Sequence, residues 1–107
     1  MNTYQQLSDM IHALEESLQT HDLWLAQKPS NDALSSAEPF AVDTLSFIQW
    51  LQFLFLPRIK QICQETAELP KVCSIAPMAE EYFKSNQIDG DTIISKLIKI
   101  DQLISNA

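Results

Sequence analysis

Residues 45–56 carry only three polar side chains, Ser46, Gln49 and Gln52, among nine apolar ones. A chain of 107 residues must use most of its remaining length to keep such a stretch from water. Set out at helical spacing, Ser46, Gln49, Lys60 and Gln64 fall on one narrow line, shared with Phe53 and Pro57. Leu45, Ile48, Leu51, Phe55, Ile59 and Ile62 fill the opposite arc, which Phe47 and Leu54 widen. An apolar arc this broad predicts a helix over Asp43–Gln64 that neighbours touch from several sides. Asp43 reads as its N-cap, with Val42 stapled onto Phe47, and the helix ends near Thr66–Glu68, ahead of Pro70.

Pro57 is the local conflict. Without an N–H it leaves the Phe53 carbonyl unpaired, and its ring pushes on the preceding turn, at a cost of about 3 kcal/mol. A bent core helix is the plain outcome, and a small polar pocket under the bend is the other. Arg58 bears on the second, because it falls between Phe47, Leu51, Leu54 and Ile62, where a bare guanidinium is expensive. It must reach water or meet a carboxylate, for which Glu80, Glu81 and Asp101 are candidates.

Before this helix, Tyr4, Leu7, Ile11, Leu14, Leu18, His21 and Leu25 alternate three- and four-residue steps. They predict a first helix from Tyr4 to Leu25, opened by a Thr3–Gln6 capping box. Its seam suits packing within the chain. It also suits an intermolecular coiled coil, so oligomeric state stays open. Gln27–Val42 has no helical period and reads as a long loop. Phe40 would anchor its end in the core and Trp24 would cover its start. This acidic loop is a natural place for part of a recognition surface. Glu68–Ala76 is a second connection. Pro77 opens a third helix that buries Met78, Ala79, Tyr82 and Phe83. After a turn at Asn86–Gly90, Asp89 or Asp91 caps a last helix with the stripe Ile93, Leu97, Ile100 and Ile104, thickened by Ile94 and Ile98. The expected fold is all-α, one domain over residues 1–107. It is a four-helix bundle with a central, Pro-kinked hydrophobic helix and a long loop between helices 1 and 2.

A formal net charge of −7 argues against direct binding to nucleic-acid phosphates or to an anionic membrane. Met1–Leu7 lacks the basic start and apolar run of an export signal, and the central stretch is shorter than the ~20 residues of a membrane span. These features predict a cytoplasmic protein in which Cys63 and Cys73 are reduced.

Chemistry-bearing motifs are missing. Gly90 is the sole glycine, so neither GxGxxG nor a P-loop can be written, and there is no GxSxG or HExxH. His12 and His21 stand nine residues apart and do not share a face for a metal. The adjacent acids Glu15–Glu16 and Glu80–Glu81 diverge on a helix, and Cys63 falls on an apolar side. The residues thus predict no catalytic, cofactor or metal site. Trp24, Phe40, Asp43, Trp50 and Arg58 remain as candidates for a ligand or partner surface.

Glu38-Pro39-Phe40, Asp43-Thr44, Gln49-Trp50-Leu51-Gln52 and Leu56-Pro57-Arg58 succeed one another in an order that resembles the YqcC-like family of small bacterial proteins. Leu69-Pro70, Ala76-Pro77 and Trp24 match further landmarks, while Gln49 stands where a glutamate is often found beside the tryptophan. The resemblance implies a compact four-helix bundle. Such proteins are often encoded beside a tRNA pseudouridine synthase, which implies an accessory role in tRNA modification. The expected function is a non-catalytic interaction module for a tRNA-modifying enzyme or another protein with a basic surface. The alternative is an anion-binding protein with a pocket by Pro57, Arg58 as the anion's partner and Trp50 as a wall.

Overall fold

The computed structural model describes residues 2–106, and the regular structure among them is all helical. Four long helices are present: α1 (Thr3–Thr20), α2 (residues 47–65), α3 (Ala76–Ser85) and α4 (Asp91–Ser105). Two short turns, Asn31–Leu34 and Pro39–Ala41, interrupt the connection from α1 to α2. Helix α1 packs against α4 and the C-terminal half of α2, α4 packs against α3, and α3 meets the first turn of α2. The four thereby close around one core. No helix among the described residues is long and apolar enough to cross a membrane.

The stripes read from the sequence supply that core. Leu7, Ile11, Leu14 and Leu18 come from α1, and Ile48, Leu51, Leu56 and Ile59 come from α2. Ala79 and Phe83 of α3 meet Ile93, Leu97, Ile100 and Ile104 of α4. Ile98, placed with that stripe by its spacing, is exposed instead. The single glycine has a steric reason: a Cβ on Gly90 would lie 2.2 Å from the Phe83 ring, so the start of α4 can approach α3 only without one.

Helix ends depart from expectation where a nearer partner wins. Helix α1 stops at Thr20 rather than Leu25, because Asp22 turns left-handed at φ 57° and the Leu23 N–H donates back to the Leu18 carbonyl at 2.8 Å. His21 is therefore exposed at a helix end, not buried in a seam. At the other end of α1 the Asn2 side chain accepts from the Gln5 N–H, in place of a Thr3–Gln6 box. Helix α2 begins at Phe47 because Ser46 and Gln49 form a reciprocal capping box that satisfies two free donors at once. Asp43 is consequently not its cap and accepts from the Ser36 hydroxyl, while Val42 is exposed and staples nothing. Gly90 holds the cap position of α4, with the Asp89 carboxylate accepting from the Asp91 N–H.

Candidate interaction face

The disturbance predicted at Pro57 is absorbed one turn earlier. Leu51–Phe55 forms a π turn in which the Leu56 N–H donates to the Leu51 carbonyl, and Pro57 then sits in the first turn of a fresh α segment, Leu56–Glu65. A missing N–H is tolerated there. The wide turn also resets the phase of the residues after it, and such turns recur at functional positions. Arg58 accordingly faces water rather than an apolar arc, with no ion pair or hydrogen bond among the described residues. Of the carboxylates considered for it, Glu80 and Glu81 are exposed on α3 and Asp101 is engaged elsewhere.

Trp50, Leu54, Phe55, Arg58, Ile59 and Pro70 line an open groove of about 550 Å³. Aromatic rings support its Trp50 wall: Phe55 lies 5.3 Å from the indole and Phe47 lies 6.1 Å from it, with Tyr82 5.8 Å beyond Phe47. Phe40 meets Trp50 edge-on at 5.1 Å. It does not anchor the loop in the core, as its position suggested. It remains 42% exposed beside the exposed Val42, while Ala41 and Leu45 take the buried places.

Phe40 and Ala41 occupy successive left-handed conformations, at φ 57° and 51°. For residues with a Cβ this costs about 1–2 kcal/mol each, and a bulky side chain there is unusual. Local hydrogen bonds hold the turn, from Ala41 N–H to the Glu38 carbonyl (3.0 Å) and from the Thr44 hydroxyl to the Ala33 carbonyl (2.7 Å). The connection that carries this turn is acidic: Asp22, Asp32, Glu38 and Asp43 are all exposed, against the exposed Lys28.

Of the five residues singled out in the sequence, Phe40, Trp50 and Arg58 come together on this face, and Asp43 flanks it. Trp24 does not join them; it is half-buried against the core.

Two polar residues escaped sequence reasoning. Gln52, only 7% exposed, accepts from the Leu25 N–H at 2.7 Å and donates to the Leu25 carbonyl at 2.8 Å. Asp101, on the core side of α4, accepts from the Ile75 and Ala76 N–H groups, both at 2.8 Å, and from the Cys73 thiol at 3.0 Å. It thus caps α3 from outside that helix. In the sequence Gln52 only interrupts an apolar run and Asp101 figures only as a candidate partner for Arg58; nothing in the spacing reveals backbone partners 25 or more residues away. Burial pushes the Cys73 thiol far above its usual range, helped by the hydrogen bond and charge of Asp101, and burial also raises Cys63. Both thiols are poor nucleophiles as a result. His12 pairs with Glu16 at 2.9 Å on the surface, and among the described residues no three His, Cys, Asp or Glu side chains converge on a metal position.

A family model described as tRNA pseudouridine synthase C, DUF446, matches residues 6–103. An uncharacterized protein of Haemophilus influenzae is 30% identical over 102 residues, 94% of each chain. The solution NMR structure of YqcC from Escherichia coli superposes with a TM-score of 0.87 at 27% identity, covering 99% of this chain and 91% of that one. A protein of Pectobacterium carotovorum named tRNA pseudouridine synthase C is 28% identical over 87 residues, which are 81% of this chain but 23% of that protein.

Proposed function

The chain belongs to the DUF446 family, which its likeness to YqcC also supports, and we propose on that footing that it is a non-catalytic interaction module assisting a tRNA pseudouridine synthase. One observation carries this reading. A region similar to 81% of this chain is part of a much longer protein that bears the synthase's name. The Haemophilus relative, by contrast, is matched over 94% of its length, and units joined in one organism and separate in another are natural partners. The charge of −7 fits a partner with basic surface better than it fits tRNA, whose phosphates it repels. A role beside tRNA modification implies a cytoplasmic location. The test is co-purification of the full chain with the synthase of the same organism, together with a count of tRNA pseudouridine in a deletion strain. Recovery of the synthase and a lowered count are expected. No recovery and an unchanged count would discard the reading.

Arg58 favours a second reading, an anion site. Its guanidinium, unpaired among the described residues, stands at the rim of an apolar groove walled by Trp50. Titration with inorganic phosphate and with small carboxylates would show saturable heat that Arg58→Gln abolishes. Heat equal to that of buffer alone would remove it.

A further inference from the structure

We propose that the Trp50 face is where the synthase docks, and that the docking segment presents an apolar side chain to the groove, a carboxylate to Arg58 and basic residues to the Phe40 side. The proposal rests on the accessory reading above and adds the surface and the chemistry of its occupant. In the Pectobacterium relative most of the chain lies outside the matched region and is tethered to it, so a large partner is at hand to cover one face of this domain.

Three features coincide on this face. The groove floor of Leu54, Phe55 and Ile59 is apolar and open, so covering it removes hydrocarbon from water. Arg58 at its edge has no carboxylate partner among the described residues, which leaves that contact for an incoming acid. On the Phe40 side, Glu38 and Asp43 lie within three residues of that ring and are exposed, in a connection that also carries the exposed Asp22 and Asp32, and this acidity attracts a basic segment. An occupant must therefore carry both signs in a fixed order about an apolar anchor, which is a demand on a folded protein surface rather than on a polyanion such as tRNA.

Phe40 strengthens the assignment. A glycine or asparagine would sit in its left-handed conformation at lower cost, yet a phenylalanine is there, with its ring half out of water and edge-on to Trp50. Aromatic rings and arginines flanking a pocket are the side chains that dominate binding energy at protein interfaces.

The experiment measures the dissociation constant of the full chain for the purified synthase of the same organism by calorimetry. A double variant, Phe40→Gly with Arg58→Glu, removes the ring, relieves the strained conformation and reverses the charge. Lys99→Glu, on α4, alters a helix that contributes nothing to the groove. The double variant should weaken binding at least about tenfold, with Lys99→Glu changing it less than about twofold. Both should keep the melting temperature of the unmodified chain within a few degrees. Weakening below tenfold in a folded double variant would overturn this docking face and leave the accessory reading standing. No binding by the unmodified chain would overturn both.

Discussion

The connection over residues 66–75 is stitched to the bundle by side chains from other helices, whereas the connection over residues 21–46 is held mostly by its own hydrogen bonds. In the shorter one, the Tyr4 hydroxyl of α1 donates to the Ala67 carbonyl at 2.7 Å. Ser105 of α4 exchanges hydrogen bonds with the backbone of Cys73, and Asp101 gathers two backbone N–H groups and a thiol. In the longer one, Gln52 secures Leu25, but beyond it the bonds run from Ala33 to Ser30, Ser36 to Asp43 and Thr44 to Ala33. Of large hydrophobic side chains the shorter connection exposes Val72 alone, which is ordinary for a surface. The longer one presents Phe40 and Val42 together, with three residues in left-handed backbone, Asp22, Phe40 and Ala41, against Thr66 alone in the shorter. One connection is built to close the fold, and the other bears a conformation that the core does not require.

The sharpest way to break that contrast lies at Asp101. Replacing it with alanine strands two buried N–H groups at the start of α3, a loss of about 3 kcal/mol that the midpoint of urea unfolding would report. A loss below about 1 kcal/mol would show that the shorter connection is not held as its geometry suggests. Its thiol gives a pH signature. The fold favours the protonated form of Cys73, whose ordinary value is 9.0, so the stability it adds is fully present below that value and is lost as pH rises beyond it. Cys73→Ala should flatten the alkaline decline in stability; an unchanged decline would assign it to other groups. Tyr4→Phe comes next, with about 1 kcal/mol lost along with the single bond to Ala67.

The sequence makes the shorter connection look like the lesser feature, and the reason is instructive. Helical periodicity reveals which face of each helix is buried, and the stripes through Leu7, Ile48 and Leu97 needed nothing more. It cannot reveal that a carboxylate lying on a stripe, Asp101, points at the end of another helix, since that pairing depends on the packed arrangement. It also assumes an unbroken period. The π turn over Leu51–Phe55 violates that assumption, so the spacing puts Arg58 in an apolar arc it does not occupy. Phe40 and Trp50 are legible as members of a surface, but their contact depends on a left-handed turn that no residue type in Glu38–Val42 announces. The end of α1 is hidden for a related reason: Leu25 continues the apolar period, yet left-handed Asp22 ends the helix before it.

Phe40→Gly sharpens the comparison from the other side. It gives up an edge-on aromatic contact of about 0.5–1.5 kcal/mol and loosens the unfolded chain, but it recovers the about 1–2 kcal/mol held in the left-handed backbone. The two nearly cancel, so the unfolding free energy should move by less than about 1 kcal/mol. A loss beyond about 2 kcal/mol would make the ring a structural anchor and erase the distinction between the two connections.

The smallest effect belongs to Arg58. Charge reversal there, Arg58→Glu, breaks no bond among the described residues and changes a side chain already in water, so thermal unfolding should report a shift within about 0.5 kcal/mol. The added negative charge acts on the acidic connection through solvent, where salt at physiological strength screens it beyond roughly 8 Å. A loss above about 1 kcal/mol would reveal a carboxylate that Arg58 holds within the fold, and the groove would then be closed on that side by the chain itself. An unchanged stability separates the guanidinium from the upkeep of the bundle. It would then stand with Phe40 as a feature the core does not need, on the face where an outside partner can use both.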